Sequence, residues 1–166
     1  MQKIMFNDKY GLTQAVLDGR KTQTRQMKYS IVCESRYKNG EEVAIAQSYA
    51  DITSRMDWVQ SMILKDEMGW SNKMFVRADL MTHHIRITNI RIERLQDISE
   101  EDCLAEGIWK AHDVGLKGVT YWYPHLVNSS YRTAKEAYAA LIDKIGGKGA
   151  WERNPYVFVY DFELID

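Results

Sequence analysis

The spacing of apolar residues along the chain predicts a mixture of strands and helices. Short runs rich in β-branched and aromatic residues are typical of strands, whereas apolar residues three and four positions apart indicate amphipathic helices. The stretches expected to be strands are residues 3–6, 22–27, 43–48, 74–76, 84–95 and 156–164. The stretches expected to be helices are residues 8–18, 52–68, 99–106 and 133–145. With pairing expected between strands from both ends of the chain, this pattern predicts an α+β fold.

The longest predicted strand changes the phase of its apolar positions half-way along. Ile85 and Ile87 occupy odd positions. Ile90 and Ile92, further along, occupy even positions. Because side chains alternate between the two faces of a strand, one face holds all four only if a residue is inserted. We therefore predict a bulge or a sharp bend near Asn89, of the kind that a small, closed, curved sheet requires.

The predicted helix over residues 52–68 carries an apolar stripe with further apolar residues beside it. The stripe consists of Ile52, Met56, Val59 and Ile63. Because such a stripe normally faces a core, we expect the helix to pack on the body of the protein. The additional apolar residues are Trp58, Met62 and Trp70, and they make the helix a candidate for a partner surface as well.

Residues 109–131 show no sustained period and combine glycines with aromatic side chains. The aromatic residues are Trp109, Tyr121, Trp122, Tyr123 and Tyr131. A long stretch of this composition is either an insertion that packs on the body or a mobile lid over a site. Both interpretations are open at the level of the sequence.

The composition is that of an ordinary globular protein. The chain has 166 residues, of which 45% are hydrophobic and 27% are charged, and its net charge is −1. This length predicts a single domain. The two cysteines form no disulfide framework, the N-terminus lacks the apolar core of a signal peptide, and no run is long enough for a membrane span. These features predict a cytoplasmic protein with free thiols and no contact with a membrane.

No sequence pattern for a metal or an organic cofactor is present. His83 and His84 are adjacent, so on a strand they face opposite ways and do not clamp one metal. His112 and His125 show no ligand spacing with the cysteines. Motifs of the Walker, Rossmann and serine-hydrolase types are also missing from the sequence. We therefore expect a protein that works without a cofactor.

The stretch Gly-Arg-Lys-Thr-Gln-Thr-Arg at residues 19–25 places three cations and two hydroxyls directly after the first predicted helix. Gly19 suits the end of that helix because glycine takes a positive φ without a Cβ clash. The first fifty residues hold eight Lys/Arg and five Asp/Glu, a local charge of +3. Such a turn is either a solvated surface loop or a site for phosphate or a nucleotide. Arg20 and Arg25 suit bidentate phosphate contacts, and they equally suit the acidic residues 100–102.

Three motifs, in this order, resemble the ASCH family. They are Gly-x-Lys-x-x-Thr-Arg at residues 19–25, Tyr-Lys-Asn-Gly-Glu-Glu-Val-Ala at residues 37–44, and Ile-Ser-Glu-Glu-Asp with a following Glu-Gly at residues 98–107. The aromatic strand at the end of the chain is also similar to the last strand of that family. The resemblance implies a PUA-like fold, a small mixed β-barrel surrounded by about four helices. Residues 50–72 and 109–131 look like insertions into this single domain.

The resemblance implies two functions. Most ASCH proteins are thought to bind RNA or nucleotides in a cleft, and recognition of a nucleobase in a basic cleft would use Arg20 and Arg25 as ligand contacts. A small bacterial relative, the acetylcytidine amidohydrolase, is similar at the site itself. Its catalytic Lys, Thr and Glu correspond to Lys21, Thr24 and Glu106. The expected partner is therefore RNA, a nucleoside or a nucleotide.

Amide hydrolysis fits these three residue types on one geometric condition. Thr24 would be the nucleophile, Lys21 its base when neutral, and Glu106 would exchange protons with the leaving amine. Burial and neighbouring cations would lower the pKa of Lys21, whereas Glu106 would raise it. Residues three apart on a regular strand face opposite ways, so Lys21 and Thr24 converge only if residues 19–24 form a turn. Each of the three also has an ordinary interpretation, as an exposed charge or a strand hydroxyl.

Overall fold

The computed structural model of the chain describes residues 1–30, 32–53, 58–113, 118–123 and 130–165. Its strands are β1 (Gln2–Ile4), β2 (Gln23–Met27), β3 (Glu42–Ile45), β4 (His84–Arg94), β5 (Trp109–Asp113), β6 (Gly118–Trp122) and β7 (Tyr156–Leu164). Its α-helices are α1 (Leu12–Leu17), α2 (Tyr49–Thr53), α3 (Trp58–Leu64), α4 (Glu100–Ala105) and α5 (Ala134–Gly146). Short 3₁₀ turns lie at Asp8–Tyr10, Lys73–Phe75, Ala78–Leu80 and Leu95–Asp97. The predicted α+β class is confirmed.

Five strands form one mixed sheet in the order β1-β3-β4-β7-β2, and β5 and β6 form a separate antiparallel pair. The β1–β3 pair is parallel, while β4 with β3, and β7 with both β4 and β2, pair in the antiparallel direction. Strands from both halves of the chain therefore meet in one sheet. Within the described ranges no pairing joins the edge strands β1 and β2, so the closed barrel implied by the family resemblance is not detected.

The bend predicted near Asn89 is confirmed as a shift in the register between β4 and β7. Ile87 lies opposite Phe162 and Asn89 lies opposite Asp161, so Thr88 is the extra residue in β4. The shift lets apolar positions on both sides of it share one face, which a regular strand would not allow. The paired apolar positions are Ile85, Ile87, Ile90 and Ile92 in β4, opposite Leu164, Phe162, Tyr160 and Phe158 in β7.

The main core joins the sheet to helices α1, α4 and α5. Its buried members include Ile4, Leu12, Val16, Tyr37, Ile85, Cys103, Tyr138, Leu141 and Tyr160. A smaller cluster involves the opposite face of β3 and holds α2 in place. That cluster consists of Ala44, Ala46, Ile52, Val76 and Met81. The helices nearest the candidate site therefore belong to the main core.

Polar caps define where the helices begin. Ser99 accepts a hydrogen bond from the Asp102 N–H at the start of α4, and Thr133 accepts one from the Glu136 N–H at the start of α5, both at 3.1 Å. The first helix differs from the prediction, because Gly11 has a φ of 66° and separates the 3₁₀ turn from α1.

In the part of the chain that the structure describes, no helix combines the length and the apolar character needed to cross a bilayer.

The stripe predicted over residues 52–68 is not a core stripe along its length. Ile52 in α2 is 3% exposed, but Val59 and Ile63 in α3 are 44% and 70% exposed. Met56 lies outside the described residues. Ile52 is buried because the smaller cluster surrounds it, whereas the two α3 positions belong to neither core cluster.

The strand predicted at residues 74–76 is wrong, because Lys73–Phe75 is a 3₁₀ turn. The Asn72 side chain caps this turn by accepting from the Met74 N–H at 3.0 Å. The Lys3 ammonium donates to the carbonyls of the segment, including that of Val76 at 2.7 Å. Carbonyls that a strand would offer to a neighbouring strand are here bound by an ammonium.

The aromatic stretch 109–131 contains β5 and β6, which the sequence pattern does not predict. Residues 114–117 and 124–129 of this stretch lie outside the described residues. Tyr123 is 1% exposed, and its ring meets that of Tyr10 edge to face at 6.0 Å. Tyr123, together with Tyr121 at 6% exposed, therefore packs on the body of the protein.

Candidate functional site

A turn at the end of α1 carries the basic stretch to the start of β2. Gly19 has the expected positive φ, at 71°. The N–H groups of Lys21 and of the residue before it both donate to the Ala15 carbonyl, at 2.8 and 2.9 Å. The Thr22 N–H donates to the Ala105 carbonyl at 2.8 Å, which ties the turn to α4. The turn that Lys21 needs in order to converge with β2 is therefore present.

The Lys21 ammonium is enclosed by hydrogen-bond acceptors. Its side chain is 2% exposed, and Nζ donates to Glu106 Oε2 at 2.5 Å. Nζ also donates to the Gln23 carbonyl at 2.7 Å and to the Glu106 carbonyl at 3.1 Å. The Phe6 ring lies with its centroid 5.8 Å from Nζ. Three acceptors match the three protons of an ammonium, so the surface-cation interpretation of Lys21 is wrong.

Glu106 receives donors from three different elements. The residue follows α4 directly and is 4% exposed. Its Oε2 binds Lys21 from the turn, and its Oε1 lies 3.3 Å from Arg25 Nη1 on β2. The Tyr138 hydroxyl on α5 lies 3.4 Å from the same Oε1. One carboxylate thus connects the turn, the sheet and two helices.

A cavity of about 160 Å³ lies beside this carboxylate, and Lys21, Thr24 and Glu106 all line it. The other lining residues are Met5, Phe6, Asn7, Leu12, Arg25, Gln26, Tyr138, Leu141, Ile142 and Ile145. The Thr24 hydroxyl makes no hydrogen bond to any residue that the structure describes. Among those residues, no group of three His, Cys, Asp or Glu side chains lies together as a metal site. The cavity therefore combines a free hydroxyl and a buried ion pair with a largely apolar wall.

Burial shifts the pKa values of the polar groups around the cavity. Burial lowers the pKa of Lys21 below its ordinary value of 10.5, and the Arg25 guanidinium lowers it further, while Glu106 opposes both. Burial also raises the pKa of Tyr138 well above its ordinary value, and the Glu106 charge adds to this. Lys21 is therefore easier to deprotonate than an exposed lysine, and the Tyr138 hydroxyl keeps its proton.

The two arginines of the basic stretch occupy different environments. The Arg25 side chain is 1% exposed and pairs with Asp102 at 2.9 Å and with Glu93 at 3.2 Å, in addition to Glu106. Arg20 pairs with Asp18 at 2.9 Å, and its guanidinium lies 4.6 Å from the centroid of a tryptophan ring on β5. Pairing with the acidic first turn of α4 is therefore the interpretation that holds for Arg25. Arg20 does not line the cavity.

Tyr138 is the site residue that the sequence did not single out. It sits on the capped helix α5, one position after Ala137, which the helical period assigns to the buried face. The period indicates burial of this face but gives no reason to connect Tyr138 with Glu106, 32 positions away in the chain.

A second concave surface, which shares no lining residue with the cavity, lies at the end of the sheet. It is a groove of about 350 Å³ lined by Lys28, Tyr29, Ser30, Ile92 and Tyr156. Tyr29 is 88% exposed and Tyr156 is 50% exposed. The guanidinium of Arg94 lies 3.9 Å from the Tyr156 ring centroid. We refer to these five lining residues as the tyrosine groove.

Comparison with known proteins supports the fold and leaves the site untested. No protein-family model matches the chain, and no curated protein matches it. The crystal structure of a DUF984 protein from Enterococcus faecalis is 18% identical, and the match covers 100% of this chain and 77% of that one, with a TM-score of 0.54. An ASCH domain from Lactobacillus crispatus is 12% identical over 92% of this chain and 69% of its own, with a TM-score of 0.45.

The shared fold is shown by the DUF984 protein, and an ASCH domain is also among the solved structures that resemble this chain. At these identities the matches concern the fold alone. The catalytic roles of Lys21, Thr24 and Glu106, and ligand binding by Arg20 and Arg25, stay predictions.

Proposed function

We propose that the cavity lined by Lys21, Thr24 and Glu106 recognises a nucleobase-sized amide and hydrolyses it. The substrate class is a cytosine nucleoside with an acyl group on its exocyclic amine. The supporting observation is the convergence of Lys21 and Glu106, 85 positions apart in the chain, beside the unbonded Thr24 hydroxyl. Perturbed titratable groups that meet a candidate nucleophile in a cavity are a recognised pattern of catalytic sites.

The reaction proceeds through a covalent ester. Thr24 attacks the acyl carbonyl, and its proton passes to neutral Lys21 as the new O–C bond forms. The C–N bond then breaks, and this proton passes through Glu106 to the leaving amine. Water hydrolyses the Thr24 ester, which releases the carboxylic acid and restores the hydroxyl. The lowered pKa of Lys21 supports the first step, because it increases the fraction of neutral amine.

The size and charge of the cavity favour a small neutral ligand over an RNA strand at this position. A volume of about 160 Å³ lies below the range of roughly 300–1,000 Å³ that drug-sized ligands occupy. Arg25 is committed to three carboxylates, and Arg20 lies off the cavity. A phosphate would therefore find no unpaired arginine here, whereas a single ring with a short acyl group would meet an apolar wall.

Acetylcytidine turnover tests this proposal. We expect the protein to release cytidine, detected by chromatography, and the rate to rise with pH along a limb that lies below the ordinary lysine pKa of 10.5. Thr24→Ala should lower the rate by more than about a hundred-fold, since it removes the nucleophile. Thr24→Ser should retain part of the activity because it keeps a hydroxyl.

Thr22→Ala is the matched control, because Thr22 is exposed and lies two positions away. Lys21→Ala should also abolish turnover, but it breaks a buried ion pair as well, so the Thr24 variants are the cleaner comparison. The hydrolase proposal is wrong if the wild-type protein leaves acetylcytidine intact, or if Thr24→Ala turns it over at the wild-type rate.

A second candidate function, binding of single-stranded RNA, is favoured by the tyrosine groove. Two exposed tyrosine rings lie beside Lys28 and Arg94, and neither cation pairs with a carboxylate of the described residues. Exposed rings next to unpaired cations suit a polymer that offers stackable bases on a phosphate backbone. This surface replaces Arg20 and Arg25 as the place where we expect RNA to bind.

Fluorescence anisotropy with a labelled oligouridine tests the second candidate. Binding should weaken as salt rises from about 50 to 200 mM, because phosphate contacts release counterions. Tyr29→Ala should weaken binding about ten-fold through loss of base stacking. Lys148→Ala, a change at an exposed lysine outside the groove, should leave binding unchanged. Equal affinities for wild type and Tyr29→Ala would exclude the groove as the binding surface.

A further inference from the structure

Tyr138 places its hydroxyl at the candidate site from a rigid position. The residue is 2% exposed, and its ring meets that of Trp151 edge to face at 6.2 Å. Its hydroxyl lies 3.4 Å from Glu106 Oε1 and has no other hydrogen-bond partner among the described residues. Because packing holds the ring in place, the Glu106 carboxylate is the hydrogen-bond partner that the described residues offer to this hydroxyl.

The distance of 3.4 Å is long for a hydroxyl donor, whose bonds usually measure about 2.7–2.8 Å. The contact is therefore weak as it stands. Hydrogen bonds at catalytic sites often tighten only in the complex with substrate, so a long contact is compatible with a role in the reaction.

The charged groups that face Glu106 distinguish Tyr138 from the other two donors. Lys21 approaches from the turn and Arg25 from β2, and both carry a positive charge. On α4 itself, Cys103 is buried with a pKa raised by burial to about 12, and Asp102 is held by Arg25 at 2.9 Å. Replacing either cation would change the net charge of the site. Tyr138 is the neutral donor, so its hydroxyl can be removed without changing that charge.

We propose that Tyr138 is a positioning residue whose hydroxyl holds Glu106 Oε1 and weakens the attraction of this carboxylate for Lys21, which eases proton exchange between the two. The role of this exchange in catalysis rests on the proposed hydrolase function, whereas the contact between the three side chains does not. The hydroxyl hydrogen directs the positive end of its dipole at Glu106. It therefore draws carboxylate charge away from Lys21 and makes the ammonium easier to deprotonate.

The direct test is an NMR titration of Lys21 in wild type and in Tyr138→Phe. The protein carries ¹³C-labelled lysine, and the Lys21 Cε signal is assigned by its loss in Lys21→Met. We expect the titration midpoint of Lys21 to move to higher pH in Tyr138→Phe, since the carboxylate then attracts the ammonium more strongly. Equal midpoints in the two proteins would overturn the proposal.

Two further variants make the result specific. Site-specific difluorotyrosine at position 138 is a stronger hydrogen-bond donor than tyrosine, so the titration midpoint of Lys21 should move to lower pH. If Tyr138→Phe does not fold, this variant tests the role of Tyr138 in its place. Tyr10→Phe is the matched control, because the Tyr10 hydroxyl is part-buried but contacts the Lys144 carbonyl at 3.5 Å and not Glu106. A shift of the Lys21 midpoint in Tyr10→Phe as large as in Tyr138→Phe would show that the effect is not specific to the site.

A kinetic measurement then connects the contact to the reaction. With acetylcytidine as the probe, Tyr138→Phe should lower kcat about three- to ten-fold and leave KM nearly unchanged, and its pH–rate limb should move to higher pH. An unshifted limb with unchanged kcat would contradict positioning of Glu106. Absence of turnover in wild type would instead refute the hydrolase function, and the NMR titration would still decide the role of Tyr138.

Discussion

The Lys21–Glu106 ion pair is almost completely removed from water. The two side chains are 2% and 5% exposed, and their charged atoms lie 2.5 Å apart. Transferring two such charges to the interior costs several kcal/mol each, and the pair recovers this cost only through good geometry and additional hydrogen bonds. The pair has those additional bonds, from backbone carbonyls to Lys21 and from Arg25 to Glu106. A buried pair of this kind is weak evidence for stability and better evidence for function.

A double-mutant cycle at this pair measures how much of the loss of stability comes from leaving one buried charge without its partner. Lys21→Met should destabilise the protein by about 3 kcal/mol or more, because it leaves a buried carboxylate without its closest partner. Glu106→Leu should have a similar effect for the same reason. The double variant should be more stable than either single variant, since no charge is left unpaired at the two positions. Urea unfolding measures all four proteins, and destabilisation in the double variant equal to the sum of the singles would contradict this account.

Helices α3 and α5 show how the same kind of pattern leads to different burial. Both carry apolar residues at helical spacing, but Leu141 on α5 is 2% exposed and Ile63 on α3 is 70% exposed. The α5 stripe packs against the main core, to which the sheet and α4 also contribute. The period indicates which residues share a face, and the presence of a second apolar surface decides whether that face is buried.

This difference in burial predicts that a substitution on α3 changes the free energy of unfolding little, whereas one on α5 changes it strongly. Ile63→Glu should change the free energy of unfolding by no more than about 0.5 kcal/mol, because the side chain is already exposed. Leu141→Ala should cost about 2–5 kcal/mol, because it leaves a cavity in the core. Thermal unfolding monitored by circular dichroism compares the two variants. A loss of stability in Ile63→Glu as large as that in Leu141→Ala would mean that α3 is buried in solution.

At the scale of the whole molecule, the fold neutralises the charge imbalance of the chain. The first fifty residues carry a local +3, and the remaining residues, with fourteen Lys/Arg and eighteen Asp/Glu, carry −4. The sheet and α4 bring carboxylates of the second part against cations of the first. The resulting pairs are Lys21–Glu106, Arg25–Asp102 and Arg25–Glu93. The basic turn is therefore not a basic surface. Lys28 and Arg94, which pair with no carboxylate of the described residues, lie instead beside the exposed rings of the tyrosine groove.

Local chemistry allowed the sequence by itself to determine several features. The caps at Ser99 and Thr133, the positive φ of Gly19 and the β4 bulge beside Asn89 depend on residues within a few positions of one another. The family resemblance, carried by short motifs, singled out three of the residues that line the cavity, Lys21, Thr24 and Glu106. The approach of Lys21 to Thr24 required only that the turn after Gly19 form, which is a local condition, whereas Glu106 reaches Lys21 from 85 positions away through the tertiary structure.

Only the tertiary structure decided the features that depend on distant partners. Three such features are the exposure of α3, the β5–β6 pair and the 3₁₀ turn beside Lys3. Each depends on which other segments of the chain pack against the one concerned. The pairing of Arg25 and the contact of Tyr138 with Glu106 join residues 77 and 32 positions apart. A periodic pattern specifies which side chains face the same way, but the free energy of burying or pairing them depends on the elements that pack against them.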